Sequence, residues 1–113
     1  MHDNLKQCTV WQAAKLQRLG VPVPPPVPPA VYVIAEFRLV ELLTLLCRVC
    51  PPDFELRYSI NRHGAYCGVR SVFGGTPPHY REFVTYGLAH RNPAVSCASV
   101  LIWLLETKRA LPF

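Results

Sequence analysis

The stretch PPDFELRYSINRHGAYCGVRSVF, Pro51 to Phe73, decides the fold. Phe54, Leu56, Tyr58 and Ile60 alternate with Glu55, Arg57 and Ser59, the period of two that marks a half-buried strand. Asn61-Arg62-His63-Gly64 is a turn cluster, since Asn readily folds back on its own backbone and Gly accepts angles that side chains refuse. Beyond it Cys67, Val69 and Phe73 share one face, opposite Gly68, Arg70 and Val72, which predicts a second strand. Gly74-Gly75-Thr76-Pro77-Pro78 is a loop. Tyr80 to Gly87 predicts a shorter third strand, facing inward through Phe83 and Thr85 or through Val84 and Tyr86. Short connections between consecutive strands imply an antiparallel meander.

Helical patterns flank the meander. Upstream, Tyr32 to Cys50 is strongly apolar, with Phe37, Val40, Leu43 or Thr44, and Cys47 at one helical spacing. Leu39, Leu42, Leu45 and Leu46 widen that stripe until little polar face remains, so this helix needs cover on more than one side. Pro51-Pro52 ends it. Downstream, Asn92 as N-cap and Pro93 at the first helical position start a helix. Its apolar face runs through Ala94, Cys97, Ala98, Leu101, Ile102 and Leu105; Lys108 and Arg109 suit its negative end, and Pro112 lies beyond. The expected fold is α+β: α-β-β-β-α, with a three-stranded antiparallel sheet and two helices packed on one face. A further amphipathic helix is expected at Asp3 to Leu19, through Leu5, Cys8, Ala13, Leu16 and Leu19, with Gly20 as its stop.

Val21 to Pro29 holds six prolines of the chain's twelve and excludes helix and central strand; polyproline II is expected there. The chain thus divides into an N-terminal helix (1–20), a proline-rich spacer (21–29) and one domain (30–113). At 113 residues, half of them hydrophobic, a single real core is expected. No apolar run reaches the roughly 18 residues of a membrane span. Asp3, Lys6, Lys15 and Arg18 interrupt any secretory core, so the chain is expected not to be secreted. Cytoplasm or nucleus is the expected compartment, with the mitochondrial matrix as the alternative suggested by the acid-poor amphipathic start. Five cysteines, an odd number, then read as free thiols. A net charge of +5 permits a polyanionic partner without requiring one.

From about Glu36 to Leu105 the chain resembles the double-stranded-RNA-binding domain. Pro51-Pro52-Asp53-Phe54-Glu55-Leu56 is similar to that family's entry into its first strand. Val69 to Gly75 is similar to its second strand and glycine turn, and Glu82-Phe83 to its third strand. Ala94, Ala98-Ser99, Ile102-Trp103 and Leu105 resemble the small-residue face of its second helix. The resemblance implies shape-directed contacts to phosphates and ribose 2′-hydroxyls. Family members carry a lysine cluster at the second helix N-terminus, where this chain has Arg91-Asn92-Pro93-Ala94-Val95 and one cation. Their Gly-Pro-x-His loop is represented by Asn61-Arg62-His63. Their polar first-helix position is crowded by Leu42 and Leu43, with Glu41 nearby. The RNA-binding candidates are therefore Glu41, Arg62, His63, His90, Arg91 and Asn92.

The expected function is non-catalytic: binding structured or double-stranded RNA within a ribonucleoprotein complex, with no cofactor. The alternative is a protein-protein or dimerisation adaptor whose fold has lost RNA. Its candidates are the apolar helix surfaces, at Leu5, Trp11, Leu16 and Trp103. Cys47-Arg48-Val49-Cys50 ends a helix instead of starting one, so no dipole activates a thiol, and no second ligand pair completes a zinc site. No metal is expected. The acidic residues form no paired set, and no phosphate-loop or nucleophile-elbow motif is present, so an enzyme is not expected.

Overall fold

The computed structural model describes residues 6–23, 36–71 and 84–113. In chain order the elements are α1 (Val10–Arg18), α2 (Leu39–Val49), β1 (Phe54–Asn61), β2 (Gly64–Ser71), β3 (Thr85–His90) and α3 (Pro93–Glu106). The fold is α+β, and the strands form one open antiparallel sheet in the order β1-β2-β3. The register sets Leu56 opposite Val69 and Tyr58 opposite Cys67, with Tyr86 and Leu88 completing the inner face. Glu55, Arg57, Tyr66, Gly68, Arg70 and Gly87 fall on the outer face. Of the two inward choices for the third strand, the structure takes the Val84 and Tyr86 parity. That strand continues to His90, and residues 80–83 lie outside the described residues, as do Phe73 and the 74–78 loop.

The helix α3 lies on β2 and β3 and is flanked by α2 and α1. This central place explains its composition. Ala94, Cys97, Ala98, Val100, Leu101 and Leu104 are all fully buried, a helix apolar on nearly every side. Its start is the expected one: the Asn92 carboxamide oxygen accepts from the Ala94 amide at 3.0 Å. Small residues at 94, 97 and 98 let the helix approach the sheet closely, so that the Cys97 and Cys67 thiols meet. That contact, with burial, pushes the Cys97 thiol far above its ordinary range.

Three sequence expectations are corrected. The helix expected from Asp3 starts at Val10, because a Thr9–Gln12 capping box fixes its first turn. Lys6 to Cys8 is instead extended and bridges to residues 36–38: Cys8 N–H donates to Phe37 at 3.1 Å and Leu39 N–H to Lys6 at 2.9 Å. The helix expected from Tyr32 starts at Leu39, with Arg38 and Glu41 closing its first turn; residues 32–35 lie outside the described residues. The inward stripe of α2 is Leu39, Leu42, Leu46 and Val49, while Val40, Thr44 and Cys47 are exposed. A helix apolar on several faces leaves the choice of buried face to its neighbours, and α3 made it.

The N-terminal helix belongs to the same core as the rest. Ala13 and Leu16 are buried in it, and Gln12 is buried with every polar atom engaged. Its Nε2 donates to the Val95 carbonyl at 3.1 Å and to Ser99 Oγ at 3.0 Å, and Lys15 pairs with Glu106 at 2.9 Å. Within the spacer, Val21 is buried and its N–H donates to Leu16 at 3.0 Å; residues 24–29, expected as polyproline II, lie outside the described residues. Among the described residues no helix is long and apolar enough to cross a membrane.

Candidate nucleic-acid interface

The β1–β2 turn and the β3–α3 corner meet at one end of the sheet, and Gly64 makes the meeting possible. Its φ of +144° suits glycine, and a Cβ there would fall 2.5 Å from the His90 carbonyl oxygen. No other residue type lets the hairpin tip sit so close to the strand end. The tip itself is stiffened where Asn61 Oδ1 accepts from the His63 amide at 2.8 Å. Five of the six RNA candidates are thereby gathered at this end, although Arg62 and Arg91 stand 29 positions apart.

Between them lies a polar cleft of about 600 Å³ whose walls include Lys6, Asn61, Arg62, His63, Arg91 and Pro93. Lys6 is the residue that sequence reading missed as a site candidate. It arrives because the Lys6–Cys8 segment pairs with residues 36–38 and is held on the α3 corner: Asn92 Nδ2 donates to the Gln7 carbonyl at 2.7 Å. Nothing local to Lys6 announces this, since the signal is a contact 85 residues long. No carboxylate lines the cleft among the described residues. Its field therefore favours an anion.

Helix N-termini bind phosphate through free amides. Here Pro93 has no amide, Ala94 donates to the Asn92 side chain, and Val95 donates to the Asn92 carbonyl at 3.0 Å. The Asn92 side chain is thus occupied at both ends. His90 Nδ1 accepts from the Asn92 amide at 2.9 Å, which leaves Nε2 as the ring nitrogen for an outside partner. The anion-binding capacity of this end rests on cationic side chains, with the α3 dipole behind them.

Glu41 stands apart from the other five. It accepts from the Arg38 amide at 2.9 Å and pairs with Arg38 Nη1 at 3.5 Å, as the third residue of a capping box. The partner candidates divide as well. Leu16 is fully buried against the chain's own core, which corrects its place as a docking residue. Trp103 is half-buried, stacked on Tyr86 with centroids 5.1 Å apart, edge-on to Phe54 at 6.4 Å and beneath Arg109 at 5.4 Å. It serves to close one end of the core. Trp11 remains exposed, at 63%, with Lys15 over its ring; Leu5 lies outside the described residues.

Among the described residues no cluster of three or more metal-ligating side chains exists. Cys47 is exposed at the α2 terminus and Cys50 half-buried, its thiol raised first by burial. Comparison with family models, curated proteins and solved structures gave no match.

Proposed function

We propose that this chain is a non-catalytic module that binds structured or double-stranded RNA as part of a ribonucleoprotein complex. The observation carrying this reading is the convergence of Lys6, Arg62, His63 and Arg91 around one cleft beside the α3 N-terminus that no carboxylate lines among the described residues. The α-β-β-β-α order and the family resemblance support it. Contacts would go to backbone phosphates and 2′-hydroxyls, with Arg62 and His63 at the groove and Arg91 and His90 Nε2 at phosphates. Each cation that meets a phosphate should add about −0.7 to −0.9 to the slope of log K against log salt.

The test is electrophoretic mobility and fluorescence anisotropy with a perfect RNA duplex of about 20 base pairs, one long enough to span successive minor grooves, across a salt series. Arg62→Ala and Arg91→Ala should each weaken binding and reduce the slope by about one. Absence of salt-dependent binding at micromolar protein, or full binding by both variants, overturns the reading.

A second reading, a protein-protein or dimerisation adaptor, is favoured by Val10 and Trp11, which stand 73% and 63% exposed side by side on α1. Light scattering tests it. A strict monomer with no co-purifying partner, unchanged by Trp11→Ala, ends that reading.

A further inference from the structure

The outer face of the sheet carries an aromatic side chain in an unusual seat. Tyr66 points outward from β2, next along that face from Gly68, which pairs directly with Gly87 on β3. A Cβ at either glycine would land on the Tyr66 phenol. Two adjacent strand positions therefore lack side chains where the ring lies flat across them. Glycine weakens a strand interior, and a covering aromatic offsets part of that loss. One ring face is against the backbone; Tyr66 as a whole remains 42% exposed.

Tyr66 also lines a second cleft, of about 330 Å³, whose walls include Asn61, His63, Ala89, His90 and Arg91. This cleft shares Asn61, His63, Gly64 and Arg91 with the larger one, so the two adjoin at the same hairpin tip. Among the described residues it also has no carboxylate in its walls. Glu55, an acid of the outer face, is held by Arg57 at 3.0 Å and Arg70 at 3.2 Å, which keep its carboxyl below the usual range. A planar π-face on the outer side of the sheet, with Arg91 and His63 in the walls of the same cleft, fits one ligand chemistry: a nucleobase stacked flat, its phosphate toward those side chains.

We propose that Tyr66 and the cleft beside it form a site for an unpaired nucleotide, with the base on the Tyr66 ring and the flanking phosphate at Arg91 and His63. This rests on the reading that this end of the molecule meets RNA, and it names the substrate class: a duplex carrying a single-stranded extension or bulge, in preference to a blunt helix. The paired region occupies the Lys6, Arg62 and Arg91 cleft, and the strand leaving it crosses the hairpin tip onto the sheet. Base stacking is indifferent to base identity to first order, so the preference is for unpaired structure and not for a sequence.

The experiment is anisotropy at fixed salt with a single-stranded oligoadenylate and three duplex probes: a blunt duplex of about 20 base pairs, as above, the same duplex with a three-nucleotide 3′ adenosine overhang, and that overhang made abasic. The adenosine overhang should bind about 10-fold tighter than the blunt duplex, and the abasic one, with the same phosphates, only as well as the blunt one. Tyr66→Phe should keep the gain, and Tyr66→Leu should lose it while binding the blunt duplex unchanged. Equal binding of all three duplex probes by the unmodified protein overturns the site and leaves the duplex reading standing. A gain retained in Tyr66→Leu, or reproduced by the abasic overhang, also overturns it. Should Tyr66→Leu fail to fold by circular dichroism, the adenosine-against-abasic comparison on the unmodified protein decides alone. A Tyr66-dependent gain on a single-stranded oligoadenylate, without duplex binding, keeps the site and ends the duplex reading; no binding to any probe ends both.

Discussion

Asn92 holds Gln7 to the start of α3: its Nδ2 donates to the Gln7 carbonyl at 2.7 Å while its Oδ1 caps the Ala94 amide at 3.0 Å. One side chain thus caps the start of a helix and pins the extended segment that brings Lys6 to the cleft. Asn92→Ala should cost about 2 kcal/mol, combining a lost cap with a lost hydrogen bond. Asn92→Ser keeps the cap and loses the tether, so it should cost about 1 kcal/mol. Urea melts of the two variants check the ordering. A loss near zero for Asn92→Ser would mean that the tether contributes nothing, and equal losses that the cap contributes nothing.

Gly64→Ala drives a methyl group into the His90 carbonyl at a φ of +144°. The hairpin tip must then withdraw from the β3–α3 corner. A loss of about 2 kcal/mol is expected from the strained backbone. Amide shifts should be concentrated at residues 61–64 and 90–92, which an ¹⁵N correlation spectrum would show.

Gln12 is the polar lock between α1 and α3, with bonds to Val95 and Ser99 and a role in the Thr9 cap. Gln12→Ala should leave buried acceptors unmet and cost about 2 kcal/mol. The loss should appear first as local opening. Hydrogen exchange at residues 10–18 should quicken well before exchange at 97–104 does.

Trp103 is half-buried against Tyr86 and Phe54, and its removal should open a void at that end of the core. Trp103→Ala is expected to destabilise by about 3 kcal/mol, and Trp103→Phe by about 1 kcal/mol, since ring packing is largely kept. Thermal unfolding of both checks this. A neutral Trp103→Ala would return Trp103 to the list of docking residues.

Burial pushes the Cys8 thiol from 9.0 up to about 11, and Cys97 is raised by its contact with Cys67 and by burial. A raised folded-state value makes the folded chain hold its proton longer than the unfolded chain does. The stability this gives is complete below pH 9.0 and falls as pH rises toward 11. Cys8→Ala should flatten part of that alkaline slope in denaturant midpoints measured from pH 8 to 11. At neutral pH the exposed Cys47 should react first with a thiol reagent, and Cys8, Cys67 and Cys97 only on unfolding.

Much of the fold was legible because its signals are local. Alternation through Phe54 to Ile60 and through Cys67 and Val69 marks strands, and Asn92-Pro93 marks a helix start; each depends on residues a few positions apart. The boundaries at Val10 and Leu39 were less legible. There the extended pairing of residues 6–8 with 36–38 overrode helical propensity. Of the candidate site, Arg62, His63, His90 and Arg91 were legible as candidates by type and position, whereas Lys6 and the seat of Tyr66 were not.

By itself the sequence determined the order of elements, the α+β class and the presence of cations in two separated turns, because propensity, periodicity and capping act within a few residues. Tertiary structure decided which face of α2 turned inward, that Leu16 and Trp103 serve the chain's own core, and that Lys6 joins Arg62 and Arg91. It also laid the Tyr66 ring across Gly68 and Gly87. These are matters of close approach between distant segments, set by steric fit at Gly64 and by the Asn92–Gln7 bond, and no local pattern encodes them.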